Sequence, residues 1–341
     1  MRRRPPTSTT RRASALRAAV GLAAALGLAT ATAATAAPAQ AATSRPLAAS
    51  SFAPYTDMSN SQEGLLDTAI TQHGVRTFTA GFVIGSGCNQ IWGDTLPVGN
   101  DSYTDPLISR AKSEGASVIV SSGGAAGLPL AWTCTDQSKI TAGYQKIVDS
   151  YGATGLDFDI EGAAVADSAS IARNMAAVKS LKSANPGLTV SVTLPVLPSG
   201  LTADGVAILS AAKSAGVRLD VVNIMTMDYY QGSQDMGQAA ISAAQATLAQ
   251  MQSVDSGYTY ANLGITPMIG VNDDGSTFTL QNAATVKSWA QGKGVGRLSF
   301  WSVNRDQSCG AALAAGVSPN ASSTCSGVSQ GKLAFTDAFG G

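Results

Sequence analysis

Eight short runs of apolar and β-branched residues recur along the chain, each followed by a stretch suited to a helix. They are Phe52–Tyr55, Thr77–Val83, Ser117–Ser122, Gly155–Glu161, Leu188–Leu194, Leu219–Met227, Leu263–Ile269 and Arg297–Trp301. The clearest helical stretch is Asp167–Ala184, where Ile171, Met175, Val178 and Leu181 mark one face at spacings of four and three. Asp167 suits an N-cap, and Asn185-Pro186-Gly187 stops the helix before the next strand. Eight strand–helix units point to an α/β (β/α)8 TIM barrel, which typically takes about 250 residues; a doubly wound sheet is the alternative.

The N-terminus stands outside that pattern. Arg2, Arg3, Arg4, Arg11 and Arg12 precede an Ala-rich run from Ala18 to Ala34, and Ala39-Gln40-Ala41 offers a small-x-small cleavage site. That is the order of a secretory signal peptide over residues 1–41, leaving one domain at 42–341. The Arg pair also hints at twin-arginine export. A membrane anchor fits less well, because the run is short and a cleavage site follows. The chain has 22 basic and 22 acidic residues; six arginines and no acids lie in 1–41, so the remainder carries 16 basic and 22 acidic residues, net −6. That balance disfavours nucleic acid or an anionic membrane as partner.

Exported chains oxidise their cysteines. Cys88, Cys134, Cys309 and Cys325 allow three pairings, of which Cys88–Cys134 and Cys309–Cys325 join neighbouring loops. With no C-x-x-C and with His73 alone, in a helix at the surface, zinc and Ser–His–Asp chemistry are disfavoured. Carboxylates, hydroxyls and aromatics must carry the chemistry, and no cofactor is expected.

The stretch Thr154–Gly162, TGLDFDIEG, alternates Asp157, Asp159 and Glu161 with Leu156, Phe158 and Ile160. Period two puts the acids on one face. In a barrel strand the apolar face meets the helices and the acids point inward, Glu161 nearest the open end where barrel active sites lie. Close carboxylates cannot all ionise easily, so one keeps its proton near neutral pH, as a general acid must. Two other readings fit this stretch less well. An EF-hand loop would need Glu at Ser168, and an edge strand with its acids in water sits badly in an α/β pattern.

This stretch resembles the D-x-x-D-x-D-x-E signature of family 18 glycoside hydrolases, the chitinase family. Ser121-Ser122-Gly123-Gly124 resembles its S-x-G-G, Met225-Thr226-Met227-Asp228 its M-x-Y-D, and Trp301 its strand-eight tryptophan. FAPYTDMS, GITPMIGVND and FWSVNRD resemble a secreted bacterial chitinase branch. The resemblance implies substrate-assisted retaining hydrolysis of β-1,4-linked N-acetylglucosamine. In that scheme Glu161 is the general acid and then the base. Asp159 holds the substrate acetamido group, and Asp157 lies beneath and shares a proton with Asp159. It further implies substrate contacts at Asp228, Met225, Tyr55, Gly124 and Trp301, the last as an apolar floor or as barrel packing. Trp92 and Trp132 would be outer sugar platforms or packing at a disulfide.

Two positions depart from the family pattern. Thr154 replaces the first Asp, at the buried start of the strand. Met227 replaces a Tyr, which Tyr229 or Tyr230 would supply. The expected protein is a secreted, extracellular, monomeric chitinase acting on chitin or its oligosaccharides. An endo-β-N-acetylglucosaminidase on N-glycans, a weakly catalytic chitin-binding lectin and a carboxylate-rich metal barrel are the rivals.

Overall fold

The computed structural model describes residues 51–59, 63–93, 95–125, 128–310 and 322–340. The leader expected over 1–41 lies outside the described residues. Fourteen strands occur among them. These are β1 Ser51–Phe52, β2 Tyr55–Asp57, β3 Thr77–Ser86, β4 Asn89–Trp92, β5 Leu96–Pro97, β6 Ser117–Gly123 and β7 Gly155–Asp159. They continue with β8 Thr189–Leu197, β9 Gly200–Leu201, β10 Val221–Met225, β11 Leu263–Thr266, β12 Gly270–Val271, β13 Thr277–Phe278 and β14 Arg297–Leu298. The helices are α1 Glu63–His73, α2 Thr104–Ser113, α3 Leu130–Thr133, α4 Gln137–Tyr151, α5 Ser168–Ala184, α6 Ala203–Ser214, α7 Met236–Val254, α8 Leu280–Lys293 and α9 Ala334–Gly340.

The parallel ladder β3, β6, β7, β8, β10, β11, β14 closes through the first run, which is split in two. β1 pairs with β14 and β2 with β3. Between them the Ala53 N–H donates to Leu298 O at 2.9 Å, and Pro54 O accepts from the Thr79 N–H at 2.9 Å. Eight parallel segments therefore form a closed (β/α)8 barrel, in the order the sequence gives them.

Side-chain alternation sorts the two faces of each strand. Phe158 of β7 points out to the helices, where its ring meets Tyr144 of α4 edge-on at 4.9 Å. Asp157 points in, among Ser191, Thr193 and Asn223, all buried. The helices start where the local chemistry allows. Asp167 caps α5 by accepting the Ser170 N–H at 2.9 Å, and Asp136 caps α4 through Ser138 and Lys139. α9 seals the ring of strands at β1, stacking Phe339 on Phe52 and Phe278, and its Asp337 meets the half-buried His73 at 2.7 Å.

Three expectations change. β7 ends at Asp159 and β10 at Met225, so Glu161 and Met227 sit in the loops beyond. The backbone turns at Gly162 (φ 55°) into a 3-10 turn over Gly162–Ala166. Thr154 is exposed rather than buried: it lies outside the strand, its hydroxyl on Val118 O at 3.2 Å, far along the strand from the acids. Third, β3 runs on past the barrel into an antiparallel hairpin with β4 and β5, an excursion the alternating pattern did not predict. Both expected disulfides are present, Cys88–Cys134 and Cys309–Cys325.

Candidate active site

Beyond the C-terminal ends of the strands lies a pocket of about 170 Å³. Tyr55, Asp159, Glu161, Met225, Asp228 and Trp301 all line it, so the structure brings together most of the residues picked from the sequence. Phe82, Thr193, Met227, Met268 and Asp273 line it as well and were not picked. Phe82 and Met268 read as ordinary core residues; only the barrel ordering puts them at the mouth.

Asp157 lies under the pocket, fully buried. Its Oδ2 accepts the hydroxyls of Tyr55 (2.8 Å) and Ser121 (2.7 Å), and its Oδ1 those of Ser191 (2.6 Å) and Thr193 (2.8 Å). Two further donors orient this cage: Arg297 Nη1 donates to Ser191 Oγ at 2.9 Å, and Asn223 Nδ2 to Thr193 Oγ1 at 3.1 Å. With their oxygens so engaged, the two hydroxyls turn their hydrogens to Asp157.

The hydrogen bond of Asp159 runs to Glu161, with Asp159 as donor, and no hydrogen bond joins Asp159 to Asp157 among the described contacts. The expected proton sharing within the Asp157–Asp159 pair is therefore displaced one step toward the solvent, because hydroxyls already occupy Asp157. Asp159 is pushed well above the usual carboxylate range by burial first, then by the charges of Glu161 and Asp157. Its Oδ1 is buried and has no hydrogen-bond partner among the described residues. Burial pushes Glu161 up to about 7; the hydrogen bond from Asp159 opposes the rise and the Asp228 carboxylate adds to it. Burial, with the charges of Asp157 and Asp159, also raises the Tyr55 hydroxyl well above its ordinary value and keeps it a neutral donor.

Asp228 closes the far wall. Its Oδ1 accepts the N–H groups of Asp273 (2.7 Å) and Asp274 (3.2 Å), while burial raises its pKa. The segment that brings Asp273 here is held by the buried Arg305, whose Nη2 donates to Ile269 O (3.1 Å) and Val271 O (2.7 Å).

Trp301 forms an apolar wall, stacked on Phe82 at 5.5 Å and tilted against Tyr55 at 6.2 Å. Past Phe82, Ala125 and Trp301 the pocket opens into an outer cleft of about 620 Å³, bounded by Asp57, Met58, Trp92, Leu96 and Tyr103 among others. Trp92 touches this cleft but is almost wholly buried, its indole N–H on Tyr151 Oη at 2.6 Å; Trp132 packs against the core and lines neither cavity.

Tyr229, Tyr230 and Gly124 stand apart from both cavities. Tyr229 is buried and lines neither, so it cannot take the place of the tyrosine absent at Met227; Tyr230 lines neither and is exposed. Gly124 also lines neither. It is a supporting residue: its N–H donates to Asp159 O at 3.1 Å, and a Cβ there would stand 2.7 Å from the Phe82 ring. At Gly123 (φ 119°) a Cβ would meet Asp159 O at 2.0 Å, so only glycine lets β6 approach the acid strand this closely.

No group of three or more His, Cys, Asp or Glu side chains suited to a metal ion occurs among the described residues, and no described helix is long and apolar enough to cross a membrane. What the site offers is a buried carboxylic acid that titrates near neutrality, an unpartnered acceptor beside it and an aromatic wall.

Known proteins resemble the chain along most of its length. The family model described as Glycosyl hydrolases family 18 matches residues 52–311. A probable bifunctional chitinase/lysozyme of Escherichia coli (strain K12) is 36% identical over 276 residues, 75% of this chain and 31% of that protein. Endochitinase 11 of Metarhizium anisopliae is 36% identical over 273 residues, 75% of this chain and 52% of that protein. The chain thus matches about a third and about half of these relatives' lengths. The catalytic domain of a hyperthermophilic chitinase from Pyrococcus furiosus superposes with a TM-score of 0.75 at 31% identity, over 86% of this chain and 95% of that one.

Proposed function

The chain belongs to glycosyl hydrolase family 18, and we propose that it is a secreted chitinase cleaving β-1,4-linked N-acetylglucosamine chains with retention of configuration. It is a glycoside hydrolase of the chitinase kind; the substrate, the mechanism and the export are the proposal. One observation carries the mechanism. Glu161 titrates near 7 in a pocket walled by Trp301, next to Asp159 with its buried, unpartnered Oδ1.

A sugar ring against Trp301 presents a C–H face to the indole. Glu161, protonated, gives its proton to the glycosidic oxygen as the bond to C1 breaks. The substrate's own 2-acetamido oxygen attacks C1 and closes an oxazolinium ring, which is why no enzyme nucleophile is needed. Asp159 Oδ1 accepts the acetamido N–H, an unpartnered acceptor finding its donor. Asp159 keeps its own proton in the hydrogen bond to Glu161, now a carboxylate, and the charge of that carboxylate offsets the positive charge of the ring. Asp157, held by four hydroxyls, keeps a fixed negative charge beneath. Glu161 then takes a proton from water, which opens the oxazolinium at C1 from the same face as the departed sugar. Asp228 and Met225 bound the reacting ring.

We further propose a leader at 1–41 and a single catalytic domain over 42–341 that works as a monomer outside the cell, with no cofactor and with chitin or its oligosaccharides as its partner. The experiment is hydrolysis of N-acetylglucosamine oligomers by the wild type and by Glu161→Gln, following the anomers by NMR. β-Anomers appearing first from the wild type, with the variant binding but not cutting, are expected. Binding without cleavage by the wild type would sink the reading in favour of a lectin.

A further inference from the structure

The oxidisable sulfur of this chain converges on one place. All four cysteines are paired in disulfides, so no free thiol remains. The other sulfurs are thioethers, whose oxidation follows their exposure. Among the described methionines, Met58, Met175, Met236, Met251 and Met268 are buried. Only Met225 and Met227 among them are half-buried, and both line the inner pocket.

The strand explains the placement. Met225 ends β10, yet the Thr226 N–H still donates to Thr266 O at 2.9 Å, so the strand's alternation runs on past its end. Met225 and Met227 therefore face the pocket together, with the buried Thr226 turned away between them. The pocket, at about 170 Å³, has room for hydrogen peroxide, a molecule little larger than water.

We propose that Met225 and Met227 form a modification site, where hydrogen peroxide oxidises the thioethers to sulfoxides and thereby shuts the pocket to substrate. A sulfur lone pair attacks one peroxide oxygen, and the S–O bond forms as the O–O bond breaks. The departing hydroxide takes the proton of the transferred oxygen and leaves as water. Sulfur is oxidised by one electron pair and the peroxide is reduced by it.

The product suits its surroundings badly. A sulfoxide oxygen is a strong acceptor and requires a donor. The hydroxyls lining the pocket are already committed, Tyr55 and Thr193 to Asp157 and Thr266 to Asn223 Oδ1 at 2.8 Å. Asp159, Glu161, Asp228 and Asp273 add carboxyl oxygens, which repel another acceptor. The apolar wall beside the reacting ring becomes a polar one. The oxidation itself needs no substrate; the loss of activity rests on the chitinase reading.

The test treats wild type, Met225→Leu, Met227→Leu and the double variant with hydrogen peroxide and quenches with catalase. Each sample is divided between peptide mass spectrometry and hydrolysis of the N-acetylglucosamine tetramer. Leucine keeps the volume and the apolar character without the sulfur. In wild type, an added oxygen is expected on Met225 and on Met227 before any on Met175, Met236 or Met251. The wild-type kcat/KM is expected to fall about tenfold or more, the scale of one unsatisfied buried acceptor. The double variant should keep whatever rate it had before treatment, and each single variant should be protected only in part. Should the double variant not fold, wild type decides: inactivation must keep pace with oxygen uptake at the two residues. Oxygen appearing first on the buried methionines, full activity with both thioethers oxidised, or equal losses in wild type and double variant overturn the site. A wild type that cuts no tetramer before treatment overturns the chitinase reading instead, and the position of the added oxygen still decides the modification.

Discussion

Asp159 donates its hydrogen bond to Glu161, not to Asp157, two residues apart in each direction along the same segment. The asymmetry arises below, where four hydroxyls fill the lone pairs of Asp157. Asp157 thereby acts on the pocket as a charge, and the mobile proton is confined to Asp159 and Glu161 next to the substrate.

Activity should follow the Glu161 proton. With its pKa at about 7, the acid form is lost as pH rises through neutrality, so kcat/KM on a soluble oligomer should fall tenfold per pH unit above about 7. The Asp228 charge contributes to the rise, so Asp228→Asn should move this limb to lower pH whatever it does to the maximal rate. The check is a pH–rate profile of both proteins. A limb that stays put in the variant would show that Asp228 does not reach Glu161 electrostatically.

The same shift sets a stability cost with a definite sign. Glu161 binds its proton more tightly folded (about 7) than at its ordinary value of 4.5, so the folded state holds the extra proton between those limits. Stability from this group is full below about 4.5 and is lost as pH rises toward 7. Glu161→Gln has no charge to bury. It should therefore exceed wild type at pH 8 by about 1–3 kcal/mol in urea unfolding, with the gap closing near pH 5.

Thr193 serves three partners at once, donating to Asp157 Oδ1, accepting from Asn223 Nδ2 and meeting the Tyr55 hydroxyl at 2.8 Å. Thr193→Val keeps the shape and removes all three bonds. One donor to a buried carboxylate is worth about 1.5–3 kcal/mol, so denaturant unfolding should show a loss on that scale with the barrel intact by circular dichroism. A loss under 0.5 kcal/mol (an exposed-site value, roughly) would mean that water takes the hydroxyl's place.

How much of this was legible in the sequence depends on where the strands end. The acid face of β7, the α5 helix with its Asp167 cap and both disulfide pairings could be read because period, capping chemistry and loop adjacency are local. Past the strand ends the period lapses. Thr154 fell outside β7 and into solvent. Tyr229 and Tyr230 took their directions from left-handed turns at Asp228 and Tyr230, where no glycine announces the turn. The proton partner of Asp159 depended on Tyr55, Ser121, Ser191 and Thr193, four hydroxyls on three strands. Only the closed barrel brings these together. The β4–β5 excursion was missed because two- and four-residue strands carry too few side chains to show an alternation.

The two disulfides should differ in what they stabilise. Cys88–Cys134 closes 46 residues and Cys309–Cys325 closes 16. By loop-closure entropy alone the first is worth about 4 kcal/mol and the second about 3. Thermal unfolding of the Cys88→Ala/Cys134→Ala and Cys309→Ala/Cys325→Ala doubles should follow that order. Their effects on function should separate further. Cys88 sits at the β3–β4 turn, and that hairpin carries Trp92 and Leu96 to the outer cleft, whereas neither Cys309 nor Cys325 lines either cavity. Loss of the first bridge frees a cleft wall, so KM for a hexamer should rise several-fold while KM for a disaccharide glycoside stays near wild type. If both substrates weaken alike, the hairpin is held by the burial of Trp92 and its bond to Tyr151, and the bridge contributes to stability alone.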